Sequence, residues 1–422
     1  MVHQAPTGAR DLLPLDVIQK RWIEDRLQDV FPDWGYHRII TSTIEHLGTL
    51  MAGGAIQREA VLQVEGEYQG ELGLRPELTA SIARAAVTRL ATAPHPLRLY
   101  YNGNVFRRVE QSGHRFPQEL FQAGVELIGA GTALADVEVL LLLTNCLTTL
   151  GLTAELVEAQ HPLPWSLVLG EAELTASLLE PFPTGIRATV RSAIARLDRI
   201  TLEALPLSDT LREHALFVLD LRGDPAHVLE RVKQLDLSNE QRDRVSRLET
   251  IVNQFKDSLV LQFPQLRGTA PLVLDLSLIR TFDYYTGISF EVVYQTDVGQ
   301  WVLGQGGRYD QLLGQYHPHG ESYPSVGFSL NIEAIQQVLA AIGNLPATAP
   351  ASDWLVVPTD PEAYGQALMY AQQLREAATP VRAELYLEPN IDTPTVREYA
   401  RRHRISQVAW IRLGAEPELE LL

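Results

Sequence analysis

The chain has 422 residues, 45% hydrophobic and 21% charged, a globular mix long enough for two or three domains and a large core. Its 35 Lys plus Arg against 52 Asp plus Glu leave a formal charge of −17, which weighs against a polyanion partner because nucleic acid is usually met by a basic surface. The single cysteine, Cys146, excludes an internal disulfide framework and a cysteine zinc cluster. The apolar run Val139–Leu143, flanked by Asp136, Glu138 and Asn145, falls far short of a membrane span, and no leader segment is evident. These features point to a cytoplasmic protein with no membrane part and no metal.

In chain order, Val17, Ile18, Trp22, Leu27, Val30 and Phe31 give a first helix an apolar face, and Pro32 and Gly35 stop it. Tyr36 to Glu45 reads as a strand. Leu72 to Thr79 reads as a strand running into a helix, with Arg75-Pro76 extended and Thr79 placed to cap the helix of Ile82, Ala86 and Leu90. Arg98–Arg107 and Glu119–Gly129 read as two strands joined by a long polar loop, Arg108 to Gln118. On the return strand Phe121, Ala123, Val125 and Leu127 alternate with Gln122, Gly124 and Glu126. By pattern alone the second face is the solvent side of a hairpin, but Gly124 leaves space between Gln122 and Glu126 for a small ligand against the backbone.

A helix is expected from about Ala135 to Leu150. Residues from about 164 to 266 are rich in Ala, Leu and Arg, with helix starts at Asp224-Pro225 and at Ser238 with Gln241, so a mainly helical insertion is expected there. Leu272 to Arg280 reads as a strand. Gly304 with Gly306-Gly307 lacks the strand-to-helix context of a nucleotide loop, and Tyr316 to Gly320 reads as a surface loop rather than a metal site. Ser325 to Ile335 is a strand turning into a helix, and the Pro- and Ala-rich segment 343–352 is a linker. The tail alternates strand (Trp354–Val357), helix (Ala363–Ala377), strand (Ala383–Leu387), helix (Thr395–His403) and strand (Val408–Arg412), a small parallel α/β unit.

Several of these words together resemble the class II aminoacyl-tRNA synthetases in their histidyl-tRNA synthetase form. They are Gly8-x-Arg10-Asp11-x-x-Pro14, Arg75-Pro76-Glu77-x-Thr79, Phe106-Arg107, Phe121-Gln122-Ala123-Gly124-Val125-Glu126, Arg280-Thr281-Phe282-Asp283-Tyr284-Tyr285 and Gly306-Gly307-Arg308-Tyr309-Asp310. The resemblance implies an α+β fold: a six-stranded antiparallel sheet with helices over residues 1–342, interrupted by the insertion, then a shortened anticodon-binding-like α/β domain over 353–422. It implies a dimer built through the segment around Ser42, where the family has proline. It also implies a histidine pocket: Glu77, Thr79 and Gln122 for the ammonium, Arg280 for the carboxylate, Glu126 and Tyr285 for the imidazole, with Tyr284 alongside.

The ATP side departs from the pattern. Arg107 is present, but the family's glutamate two residues on is Val109, and the arginine that clamps the triphosphate is Ala334. Losing such charge stabilisation costs orders of magnitude in rate. A complete histidine pocket beside a degraded ATP site is similar to the regulatory subunits of ATP phosphoribosyltransferase, paralogues of histidyl-tRNA synthetase. That likeness implies a non-catalytic chain with no cofactor, a homodimer within a hetero-oligomer, expected to be a hetero-octamer, with the short catalytic subunit. It implies activation of that subunit and feedback regulation by L-histidine at the first step of histidine biosynthesis, without nucleic acid. The other readings are an active histidyl-tRNA synthetase, opposed by Val109 and Ala334, and a histidine sensor with another partner.

Overall fold

The computed structural model describes residues 5, 8–66, 70–111, 114–152, 165–266, 272–278, 284–296, 299–379 and 381–422. The chain divides into two compact units, Met1–Leu345 and Pro346–Leu422.

Unit 1 begins with α1 (Pro14–Asp33), which starts on a proline whose fixed φ suits a first turn and buries Ile23, Leu27, Val30 and Phe31. The strand expected over Tyr36–Glu45 is instead two short ones, β1 (His37–Arg38) and β2 (Ile44–His46), in different sheets. Between them the Arg75 guanidinium donates to the carbonyls of Thr41 (2.9 Å) and Ser42 (3.2 Å), so a side chain satisfies the backbone that a strand neighbour would otherwise pair. Next come α2 (Leu47–Met51), β3 (Leu62–Val64), β4 (Leu72–Leu74) and α3 (Thr79–Thr88), with β2, β4 and β3 forming a three-stranded sheet.

The central hairpin is longer than its sequence suggests. β5 (Leu97–Gln111) and β6 (His114–Ile128) stay in register from Leu97 opposite Ile128 to Gln111 opposite His114. The expected loop over Arg108–Gln118 is therefore mostly strand. Its polar residues read as loop, but ladder hydrogen bonds use the backbone and are indifferent to side-chain polarity. The helix that follows, α4 (Ala133–Thr149), buries eleven of its 17 residues.

The segment expected to be a helical insertion contributes strands as well. β7 (Trp165–Glu171) pairs on both sides within the main sheet, and β8 (Arg222–Gly223) lies at its edge. Trp165 to Glu171 is a short apolar run, and periodicity cannot separate such a run from buried helix. The rest is helical: α5 (Ala172–Leu178), α6 (Thr184–Ala195), α7 (Arg199–Ala204), α8 (Asp209–Leu219), α9 (Pro225–Val232) and α10 (Asn239–Gln262). Asp224 caps α9, and Ser238 with Gln241 forms a capping box at α10.

The strand expected through Arg280 is only β9 (Leu272–Asp275). The Asp275 carboxylate accepts the Ser277 N–H at 2.8 Å and turns the chain. β10 (Ile288–Thr296), β11 (Gly299–Arg308), β12 (Ser325–Asn331) and α11 (Ile332–Ala341) complete the unit. The main sheet has nine strands, ordered β1-β5-β6-β12-β11-β10-β7-β9-β8. The stretch from β5 to β7 is the expected six-stranded antiparallel core. The other three are short flanking strands, β1 and β9 parallel to their neighbours and β8 antiparallel. One apolar cluster packs α1, α4 and α11 with the sheet, and a second packs α3 with β5, Tyr309, Leu312 and Leu313.

Unit 2 is a four-stranded sheet, β14-β13-β15-β16, from β13 (Trp354–Pro358), α12 (Tyr364–Arg375), β14 (Ala383–Leu385), α13 (Thr393–Arg402), β15 (Gln407–Ile411) and β16 (Glu418–Leu421). The first three strands are parallel, and β16 adds antiparallel to β15. β16 has no counterpart among the expected elements, because its four residues alternate Glu and Leu too briefly to register. Among the described residues no helix is long and apolar enough to cross a membrane.

Candidate functional site

The site grows from the end of α3 that meets β6. Glu77 Oε1 accepts the Ala80 N–H at 2.8 Å, so Glu77 caps this helix and the expected cap, Thr79, does not. Thr79 is the first helical residue, and its hydroxyl points across to β6 and donates to Glu126 Oε1 at 2.7 Å. Tyr309, just past β11, donates to the other oxygen of Glu126. Glu126 is 1% exposed. Burial pushes its carboxyl up to about 8 against the pull of the Tyr309 and Thr79 hydroxyls, and nearby Glu77 pushes the same way. Burial also raises Glu77, although the Ala80 N–H and the Arg107 guanidinium favour its charged form.

Glycines make the room. A Cβ on Gly327 would lie 2.0 Å from Glu126 Oε2, and one on Gly307 would lie 2.6 Å from the Tyr285 ring. Gly124 has a different use from the one expected. The phenol of Tyr101 occupies the space over it, so a Cβ there would meet Tyr101 Oη at 2.6 Å and the Phe328 carbonyl at 2.1 Å. The gap between Gln122 and Glu126 is therefore filled by protein and is not open to a ligand.

Glu77, Thr79, Gln122, Glu126, Tyr284 and Tyr285 line one cavity. Arg280 lies outside the described residues. Tyr101, Arg107, Gln305, Gly306 and Tyr309 also face the cavity, and of these Tyr101 and Gln305 stand in none of the words that carry the resemblance. Tyr309 stands inside the Gly306–Asp310 word, next to Arg308, which is 2% exposed and bonded to Asp136 at 2.8 Å, and this buried pair fixes the end of β11. Tyr284 meets Glu77 Oε2 at 3.5 Å and stacks edgewise on Tyr285 and Tyr309, with centroids 5.0 and 5.9 Å apart. The cavity is narrow, about 20 Å³, room for one water. A larger ligand must spread the walls. Two buried carboxylates, two amides and several phenols suit a small cation with many hydrogen-bond donors.

The positions that the resemblance assigns to ATP are taken up by the protein's own structure. Arg107 donates through Nε to the Pro76 carbonyl at 2.7 Å. Ala334 is 6% exposed within the core, and its N–H is capped by Asn331 at 3.1 Å. Glu333 accepts the Phe121 N–H at 3.0 Å. Val109 pairs with Phe116 in the hairpin ladder. Among the described residues no cluster of three or more His, Cys, Asp or Glu could hold a metal.

The histidyl-tRNA synthetase family model matches residues 8–335. The ATP phosphoribosyltransferase regulatory subunit of Nostoc sp. PCC 7120 is 56% identical over 420 residues, covering 100% of this chain and 99% of that one. That of Synechococcus elongatus is 54% identical, covering 100% of this chain and 97% of that one. A solved structure from Bacillus halodurans, described as an ATP phosphoribosyltransferase regulatory subunit/histidyl-tRNA synthetase, superposes with a TM-score of 0.78 at 25% identity, covering 98% of this chain and 100% of that one. The histidyl-tRNA synthetase of Nostoc sp. PCC 7120 superposes with a TM-score of 0.75 at 19% identity, covering 100% of this chain and 97% of that one, a likeness of fold alone.

Proposed function

The chain belongs to the family of ATP phosphoribosyltransferase regulatory subunits, and on that premise we propose that it binds L-histidine in the cavity around Glu126 and passes this signal to a separate short catalytic subunit. It activates that subunit and makes it sensitive to histidine at the first step of histidine biosynthesis, in the cytoplasm, as a homodimer within a hetero-octamer. Glu77, Thr79 and Gln122 take the ammonium, Arg280 the carboxylate, and Glu126 with Tyr285 the imidazole, with Tyr284 alongside. It charges no tRNA and makes no adenylate.

The observation that carries this reading is the cavity itself: six residues from three separate stretches converge on it, with Glu126 held between two hydroxyls. The neighbouring clamp position is a buried alanine. The likeness to a regulatory subunit and to a synthetase of one organism, 56% against 19% identity, weighs the same way. The test is calorimetric titration with histidine, together with co-purification of the short catalytic subunit from the same cell. Saturable histidine binding and a stable complex are expected, and neither occurring would overturn the proposal.

A further inference from the structure

The sheet of unit 2 ends differently on its two sides. At the β14 edge the Arg375 guanidinium donates to the Ala383 carbonyl at 2.7 and 3.1 Å, so a side chain takes up edge backbone. At the β16 edge, among the described residues, no strand pairs with the outer side. We infer that β16 is the docking strand for a second copy of this chain, which pairs with it antiparallel through its own β16. This surface is separate from the segment around Ser42.

The first observation is the side-chain pattern. β16 reads Glu418-Leu419-Glu420-Leu421. Leu419 stands opposite Ala409, which packs in the apolar cluster of α12, so both leucines project on the α12 side of the sheet. They are 57% and 81% exposed. The glutamates project on the other side and are paired there. Glu420 accepts from Trp410 Nε1 at 3.0 Å and pairs with Arg397, and Glu418 lies 3.6 Å from Arg412. Free edges are usually blunted by charge, proline or a bulge, and nothing of the kind stands on the leucine side of β16.

The second observation is the direction of the backbone. The Leu422 N–H donates to the Ser406 carbonyl at 2.9 Å. Bonded and non-bonded pairs alternate along an antiparallel ladder, so Glu420 and Glu418 are also bonded to β15. The N–H and C=O of Leu419 and Leu421 therefore point away from the sheet.

The third is register, and it names the occupant. With Glu420 opposite Glu420 of the other copy, each Leu419 faces a Leu421. The outward N–H and C=O groups of these leucines then meet, and each such pair exchanges two hydrogen bonds. The leucines of both copies close one apolar cluster. The two Glu420 carboxylates come together with their own Arg397 partners, so charge is balanced across the axis. A slide of one residue would set leucine against glutamate. A slide of two sets Pro417, which has no N–H, against Leu421, or takes Leu419 past the end of β16. A strand that complements itself in bonds, apolar face and charge fits its own copy about a two-fold axis. The contact is small against a standard interface of roughly 1,600 Å², so it is reversible and gains strength where other contacts hold copies together.

The test is disulfide capture, under mild oxidation, of the full-length protein carrying one new cysteine; the native Cys146 is buried. Glu420→Cys is expected to form a covalent dimer, because this residue faces itself at a close, non-hydrogen-bonded pair. Glu416→Cys, exposed just outside the strand, should be captured at least about tenfold more slowly. Adding Leu421→Lys should slow the Glu420→Cys capture by roughly tenfold. Adding Leu421→Pro should do the same by removing an outward N–H that the β15 ladder does not use. A mixture of Leu419→Cys and Leu421→Cys chains, which keeps Glu420 with Arg397, should be captured faster than either chain alone. None of these residues lines the histidine cavity, so the outcome does not depend on histidine binding. The inference is overturned if Glu420→Cys is captured no faster than Glu416→Cys and the mixture no faster than its components. It is equally overturned if Leu421→Lys and Leu421→Pro both leave the capture unchanged.

Discussion

The two halves of the groove along β6 have met different ends. On the α3 side, Glu77, Thr79, Gln122 and Glu126 present polar groups inward around a cavity. On the α11 side, Glu333 is spent on the Phe121 N–H and Ala334 is packed in the core. Both halves hang from one antiparallel sheet, and the backbone is intact under each. One fold can therefore commit the side chains at one end of a strand to its own packing while those at the other end line a cavity, because side chains at opposite ends of a strand contribute almost independently.

The sharpest way to break this contrast is to look for chemistry. Without the triphosphate clamp at Ala334, histidine-dependent ATP–pyrophosphate exchange should be absent, a deficit of several orders of magnitude against an active synthetase. Measurable exchange by the pure protein would show that the ATP half still works.

The next largest effect lies in the cavity around Glu126. Truncating one side of a buried charge pair costs about 2–5 kcal/mol, so Glu126→Ala should weaken histidine binding by roughly thirtyfold or more in calorimetry. Tyr309→Phe removes one donor to the same carboxylate and should cost roughly tenfold. An unchanged affinity in Tyr309→Phe would mean that this hydroxyl orients nothing that the ligand needs.

Proton linkage sharpens the comparison further. The Glu126 carboxyl, normally near 4.5, is raised to about 8 in the folded chain. Its contribution to stability is therefore present below pH 4.5 and is lost as pH rises through about 8. Without ligand, the melting temperature should fall across that window, and Glu126→Gln should remove this part of the fall. A complex that shares one proton between Glu126 and an imidazole, whose free pKa is about 6.5, also fixes the sign of proton exchange. Histidine binding should release a proton at pH 5, exchange almost none near pH 7 and take one up above about pH 8. Titrations in buffers of different ionisation enthalpy would read this directly, and proton release at every pH would contradict it.

The smallest expected signal concerns unit 2. Residues 351–422 hold seven Arg, no Lys and eleven Asp plus Glu, a net of −4. Phosphate contacts produce a steep salt slope, so binding of the cognate tRNA should be weak and free of such a slope.

How much of this could be read in advance depends on distance along the chain. Glu77 with Thr79, Gln122 with Glu126 and Tyr284 with Tyr285 each sit in one short word, and the structure brings all three words to one cavity. Tyr309 stands in a fourth such word, whereas Tyr101 reaches the cavity only through the pairing of remote strands, and nothing local in the sequence shows that convergence. The same limit explains Gly124, where alternation shows a missing side chain but not that Tyr101 of the facing strand takes its place. Helix starts at Asp224 and Ser238 were legible because capping is local chemistry. The outer half of the hairpin, β7 and β16 were not, because a ladder can be built from almost any side chains once a partner strand is near.

The central claim is that the cavity around Glu126 is where histidine is sensed. The most direct measurement is the histidine inhibition curve of the complex reconstituted with the short catalytic subunit, carrying either the unaltered chain or Glu126→Ala. The midpoint is expected to shift by the same factor, roughly thirtyfold or more, as the calorimetric affinity, while assembly and activation persist, since an effector that no longer binds cannot bias the equilibrium. Full histidine sensitivity in the Glu126→Ala complex would show that histidine acts somewhere else.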